Sequence, residues 1–152
     1  MPLKDQISED IKSAMKAKDK IRLETVRSIK KVLLEKESDI RGKGRDTLSE
    51  SEEFDVLVQQ AKQRRDSIEQ YRNANRDDLA DKEAEELAII ETYLPQQLTE
   101  DELSAIVDVA IAKTGASSPK DMGKVMGPVM QQTKGLADGK AVQAMVKAKL
   151  SA

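Results

Sequence analysis

Tyr93-Leu-Pro-Gln-Gln-Leu-Thr99 decides how this chain is to be read. Pro95 has no backbone N–H, and its ring disfavours helix at Leu94, so a helix must stop there. Thr99 opens the next one, with Glu102 placed three residues on to close a capping box. Composition changes across the break. All eight arginines and all three aromatics lie at or before Tyr93, whereas five of the seven glycines and four of the six methionines lie after it. The stretch therefore divides an all-α chain into an N-terminal four-helix region, residues 1–94, and a C-terminal three-helix module, residues 95–152, joined at a proline hinge.

On the N-terminal side, Leu3, Ile7, Ile11 and Ala14 recur at helical spacing. Lys16–Lys20 is a short charged turn, and Asp19 is placed to cap a second helix bearing Leu23, Val26, Ile29 and Leu33 and ending near Glu37. Two helices so closely linked should lie antiparallel. Ser38–Leu48, with two glycines and no apolar period, is a loop. Ser49-Glu-Ser-Glu52 is a second capping box. The third helix follows it, with Phe54, Leu57, Val58, Ala61, Ile68 and Tyr71 as its stripe. Asn73-Ala-Asn75 breaks that helix, and a fourth runs from Asp77 to Leu94 with its apolar face interrupted at Glu83.

Beyond the break, Leu103, Ile106, Val107, Ala110 and Ile111 form the cleanest stripe in the chain, and Gly115 ends it. Ser118 and Pro119 read as the cap and first residue of a sixth helix. Met122, Val125, Met126, Val129 and Met130 are its face. Pro128 should kink or shorten it. Gly135 closes it, and Asp138 caps a last helix carrying Val142, Met145, Val146 and Leu150. No strand or hairpin signal is present.

Composition sets limits on chemistry. Charged residues make up 36% of the chain and aromatics 2%, so any core is aliphatic. There is no cysteine and no histidine, which removes disulfides, thiolate nucleophiles and the commonest general base and nitrogen ligand. A net charge of −2 gives no global attraction for nucleic acid. No apolar run is long enough to span a membrane. The charged start MPLKDQISEDIK is not a secretory signal, so a cytoplasmic location is expected. No phosphate-cradling or dinucleotide-binding glycine motif occurs, so no cofactor is expected.

Three stretches could carry function. Lys62, Arg64, Arg65 and Arg72 lie within a few turns of one helix. They could grip phosphates, or pair with Asp66, Glu69 and the acidic fourth helix. Glu83 and Glu86 share a helix side and could face a hard cation, but a di-metal carboxylate site would want a histidine partner, so no metal is expected. The third stretch, Ser118–Gly139, places Gly123 and Gly127 inside a helix, where each costs about 1 kcal/mol relative to alanine. Either another backbone packs close to them, or they bare a flat surface for a ligand. Lys120, Lys124, Lys134 and Lys140 surround them, so phosphate contact is one candidate.

Several motifs, taken together and in order, resemble those of the GatB/YqeY family. They are Lys16-Ala-Lys-Asp19 with Leu23–Lys30, Lys62-Gln-Arg-Arg65-Asp-Ser-Ile68, Lys82-Glu83 to Leu87, Tyr93–Leu98, Asp121-Met-Gly-Lys-Val-Met126 and Gly135-Leu-Ala-Asp-Gly139. The resemblance covers nearly the whole chain and is similar throughout to the stand-alone YqeY-like proteins. It implies an all-helical, two-part fold. The second part resembles the tail domain of the B subunit of the tRNA-dependent amidotransferase, which amidates Glu-tRNA(Gln) or Asp-tRNA(Asn). In that enzyme the tail contacts tRNA, and ATP and ammonia chemistry belong to another domain. The family label is carbon–nitrogen ligase activity with glutamine as amido-N-donor, but residues for glutaminase or kinase chemistry are absent here. No catalytic residue and no autonomous activity are therefore expected. What the resemblance implies for this chain is tRNA contact through Lys120, Gly123, Lys124, Lys134, Gly139 and the adjoining Lys140. The alternative is a protein-interaction or scaffold module, docking a protein of the translation machinery on the glycine–methionine surface.

Overall fold

The computed structural model describes all residues, Met1–Ala152, and contains seven α-helices and no strand. They are α1 (Leu3–Ala17), α2 (Lys20–Arg41), α3 (Glu50–Asn73), α4 (Asp77–Glu91), α5 (Glu100–Thr114), α6 (Met122–Thr133) and α7 (Gly139–Ser151), with one 3-10 turn at Pro119–Asp121. The chain divides into two compact units, Met1–Leu94 and Pro95–Ala152.

In the first unit α1 packs on α2 and α3 on α4. Ile7, Val26, Ile29, Leu33, Leu57, Ala61 and Ile90 build one aliphatic core. The turn between α1 and α2 works as its residues dictate. Lys18 takes the left-handed conformation at φ 56°, and the Asp19 carboxylate accepts from the Arg22 backbone N–H at 3.1 Å. Ser49 and Glu52 form the reciprocal box that starts α3. After Asn73, Asn75 turns the chain at φ 58°.

Two helix ends differ from the reading of the sequence. α2 continues past Glu37 to Arg41, so the connecting loop is shorter than Ser38–Leu48. The cause is Glu37 itself. It is 1% exposed and paired with Lys4 of α1 and with Arg41, while Ile40 adds another buried turn. A charge that looked like a polar terminus is an interior group held by neighbouring cations. α4 stops at Glu91 rather than Leu94. There the Thr92 hydroxyl donates to the Ile89 carbonyl at 2.6 Å, and the N–H groups of Thr92, Tyr93 and Leu94 close three-residue turns. A residue before proline resists helix, so the last turn tightens.

The second unit is a three-helix module around Leu103, Val107, Val125, Val129, Val142, Val146 and Leu150. Its leading strap, Pro95–Thr99, is tied to the turn between α6 and α7. The Gln97 amide donates to the Gly135 carbonyl, and the Leu98 N–H to the Leu136 carbonyl, both at 2.8 Å. Thr99 and Glu102 close the expected box on α5, and Gly115 ends it at φ 68°. Pro119 starts the 3-10 turn rather than α6 itself, which begins at Met122. Pro128 stays inside α6, and the helix runs on to Thr133. Pro128 and its neighbour Gly127 are both exposed, so the ring points to solvent and the missing N–H is left on the wet side.

Candidate functional site: the bare face of α6

Helical spacing divides α6 into two faces. Val125 and Val129 are fully buried, with Met122 and Met126 partly so. Gly123, Lys124, Gly127, Pro128 and Gln131 are exposed. A Cβ built on Gly123 or Gly127 would meet nothing within 4 Å. Close packing by another element of this chain is thus not what keeps either residue small. Gly127 has a local reason. It precedes Pro128 inside a helix, where a Cβ would crowd the proline ring. Gly123 has none, although glycine there gives up helix stability.

Lys120 is exposed in the 3-10 turn just ahead of this face. Lys124 is exposed and its Nζ lies 3.7 Å from the Asp121 carboxylate. Asp121 also accepts from the Ser117 N–H at 2.9 Å. That N–H, with support from Lys124, holds the Asp121 carboxyl below its ordinary range. Lys134 and Lys140 are exposed at the far end of α6 and the start of α7, each with an interaction inside the protein. Gly139 is half-buried, and a Cβ there would stand 3.4 Å from the Met130 methyl, so this glycine does pack. Of the residues read as a group, Lys120, Gly123 and Lys124 cluster at the start of α6. Lys134, Gly139 and Lys140 cluster at its end.

The second basic group is engaged elsewhere. Arg64 lies between Glu86 and Glu83, at 2.9 and 3.5 Å, and donates to the Ser28 hydroxyl at 3.3 Å. Arg65 pairs with Glu91 at 3.4 Å. Arg72 bridges Asp77 and Asp81. Lys62 is exposed. The arginines of α3 therefore face the acids of α4, and Glu83 and Glu86 face the Arg64 guanidinium.

Two features escaped the sequence. The Tyr93 hydroxyl donates to Asp10, which also pairs with Arg22 at 3.2 Å, tying the end of α4 to α1 and α2. These side chains line a shallow cavity of about 540 Å³ with Gln6 and Thr92. Gln60, in the middle of the α3 apolar stripe, is 6% exposed. Its spacing from Val56 and Leu57 was the available signal.

The geometry describes a helical protein with one open, lysine-flanked helix face. The description "Yqey-like protein" matches residues 4–150, and the chain belongs to that family. Relatives agree over most of the chain. "Altered inheritance of mitochondria protein 41, mitochondrial" of Lachancea thermotolerans is 32% identical over 95% of this chain and 76% of its own length. The protein of the same name in Pyrenophora tritici-repentis is 30% identical over 87% of this chain and 71% of its own. That of Kluyveromyces lactis is 38% identical over 57% of this chain and 45% of its own. These relatives are named as mitochondrial proteins, which overturns the expectation of a cytoplasmic one. That expectation rested on signals the sequence lacks, and such absences specify no compartment. No helix is long and apolar enough to cross a membrane.

Proposed function

We propose that the second unit is a non-catalytic module that binds the backbone of tRNA along the open face of α6. Gly123 carries the reading. It weakens the helix, nothing in the chain needs the space, and lysines stand beside it. A glycine surface lets a ribose–phosphate backbone lie against the helix, and Lys120 and Lys124 supply the counter-charge. Seven lysines against six acids leave the unit nearly neutral, so contact is local and of modest strength.

Anisotropy titration of labelled tRNA tests this directly. Affinity should fall steeply between 50 and 200 mM salt, roughly as expected for a few phosphate contacts. Lys120→Ala/Lys124→Ala should reduce the slope of log K against log salt by about two. Absence of binding at low salt sinks the reading. One observation favours protein docking instead: Met130 is 39% exposed beside Gly139, and methionine surfaces adapt to protein partners. Under that alternative, Met130→Ala abolishes capture of a protein partner while tRNA has no effect.

A further inference from the structure

The outer seam between α1 and α2 joins bare apolar side chains to unpaired cations. Two contacts set its register. Lys4 pairs with Glu37 at one end, and the Arg27 guanidinium donates to the Met15 sulfur at 4.0 Å nearer the other, so the helices run antiparallel. Ile7, Ser8, Leu33 and Leu34 line a cavity of about 100 Å³ between Lys4 and Lys30. An apolar cavity of about 150 Å³ holds a benzene ring, so this one has room for a single aliphatic side chain. Leu34 at its rim is 49% exposed, and Met15 is 54% exposed. Met1 apart, no other large apolar side chain of the first unit is left so open. Met15 stands two turns along α1 from Ser8, about 10 Å.

The charges beside these residues are of one sign in the middle of the seam. Lys12, Lys16, Arg27 and Lys30 are exposed, and none of them is in an ion pair. Asp5 stands on the same side of α1 near its start, and by helical spacing Glu9 and Glu24 fall a row further out. Glu35 is taken up by Lys31, and Glu37 by Lys4 and Arg41. The complement is therefore anionic. A second copy offering the same seam would meet like charge. The three aromatics, Phe54, Tyr71 and Tyr93, lie on other helices, so bases of RNA would find no ring to stack on. The backbones of α1 and α2 are helical here, so an extended segment would leave its own amides without partners. A helix satisfies its own and can lay apolar residues seven apart into such a seam.

We propose that the α1/α2 seam receives an acidic amphipathic helix of another protein, one apolar side chain entering the cavity beside Leu34, a second resting on Met15, and carboxylates between them meeting Lys12, Arg27 and Lys30. This is independent of the tRNA reading, which concerns the other unit.

The test uses the full chain and labelled helical peptides of about 18 residues, with leucines seven apart and glutamates between them. Companion peptides carry lysines in place of the glutamates, or alanines in place of the leucines. Only the peptide with both leucines and glutamates should bind well, and added salt should weaken it. Met15→Ala/Leu34→Ala should weaken it about tenfold or more, as loss of seated anchors does. Arg27→Glu/Lys30→Glu should do the same, whereas Lys36→Glu/Lys147→Glu, an equal change of net charge away from the seam, should not. Leu34→Ala alone repeats the apolar readout should either double variant fail to fold. No binding by the glutamate peptide overturns the proposal, as does binding that ignores the leucines, the peptide charge or the seam substitutions. Self-association in sedimentation that Met15→Ala/Leu34→Ala abolishes would make a second copy the occupant and reject the assignment. So would tRNA that binds more tightly than the peptide and loses its affinity on Arg27→Glu/Lys30→Glu.

Discussion

Arg64 Nε lies 2.9 Å from the Glu86 carboxylate, where the apolar faces of α3 and α4 are both interrupted by charge. The interruption in one helix fills that in the other. Glu83 joins at 3.5 Å, and the side chains of Arg64, Glu86 and Glu83 are only 17, 13 and 21% exposed. Neither Arg64 Nε nor the nearer Glu83 oxygen makes a hydrogen bond, so the attraction is Coulombic without the directional part. Such a cluster is expensive to break and contributes little when whole.

Arg64→Met should therefore cost about 3 kcal/mol in denaturant unfolding, because two half-buried carboxylates lose their counter-charge. Replacing the whole trio, Arg64→Met/Glu83→Leu/Glu86→Leu, should restore most of that loss. Burial, then the neighbouring Glu86, pushes the Glu83 carboxyl above its ordinary range, against the pull of Arg64. A raised acid costs stability above its folded pKa, and the cost vanishes below its unfolded one. Glu83→Gln should accordingly raise the midpoint at pH 7 and make no difference near pH 4. The reverse order would show that Arg64 dominates.

Glu52 behaves oppositely. Its hydrogen bond from Arg45, and then those from Ser49, hold its carboxyl down at about 2, from an ordinary 4.5. A depressed acid contributes stability that is fully present above its unfolded pKa and lost as pH falls toward the folded one. The wild-type midpoint should drop between pH 4.5 and about 2 more steeply than that of Glu52→Gln. Both residues are solvent-exposed enough for added salt to shrink the difference. Parallel acid curves for the two proteins would refute it.

Tyr93 joins Asp10 through its hydroxyl, and burial, with that carboxylate's help, raises the phenol above its ordinary 10. Ultraviolet titration should find one of the two tyrosines ionising late, and Tyr93→Phe should delete that phase. A group kept protonated by the fold loses stability for it as pH climbs past 10. The wild type should therefore show an alkaline decline that Tyr93→Phe lacks. At pH 7 the substitution should cost about 1 kcal/mol, the worth of one hydrogen bond to a carboxylate still paired with Arg22.

Local chemistry made much of this fold readable. Asp19, Ser49 and Thr99 accept the N–H groups their positions imply, and Gly115 and Asn75 turn where their conformational freedom predicts. What stayed hidden was tertiary. Nothing near Glu37 in sequence announces that Lys4 will neutralise it, and periodicity scores a buried glutamate as a helix end. Asp10 and Tyr93 lie 83 residues apart, beyond any motif. Gln60 is buried although an uncharged amide on a helix carries no sequence signal that separates a core position from a surface one. Gly123 and Gly127 stand out in the sequence, but spacing alone does not separate the one Pro128 explains from the one it does not.

That separation yields the sharpest prediction. A methyl group on Gly123 has open space, so Gly123→Ala should recover the helix propensity glycine forfeits, about 1 kcal/mol. In a unit of this size that is a midpoint rise of roughly 4 °C or more. Gly127→Ala has equal space but gains less or loses, because its new Cβ crowds the Pro128 ring. Should the face serve tRNA, the stabilised Gly123→Ala protein would bind it more weakly, while Lys120 and Lys124 still confer salt dependence. Higher stability with undiminished tRNA affinity would show that the bare surface at Gly123 is not where the backbone lies.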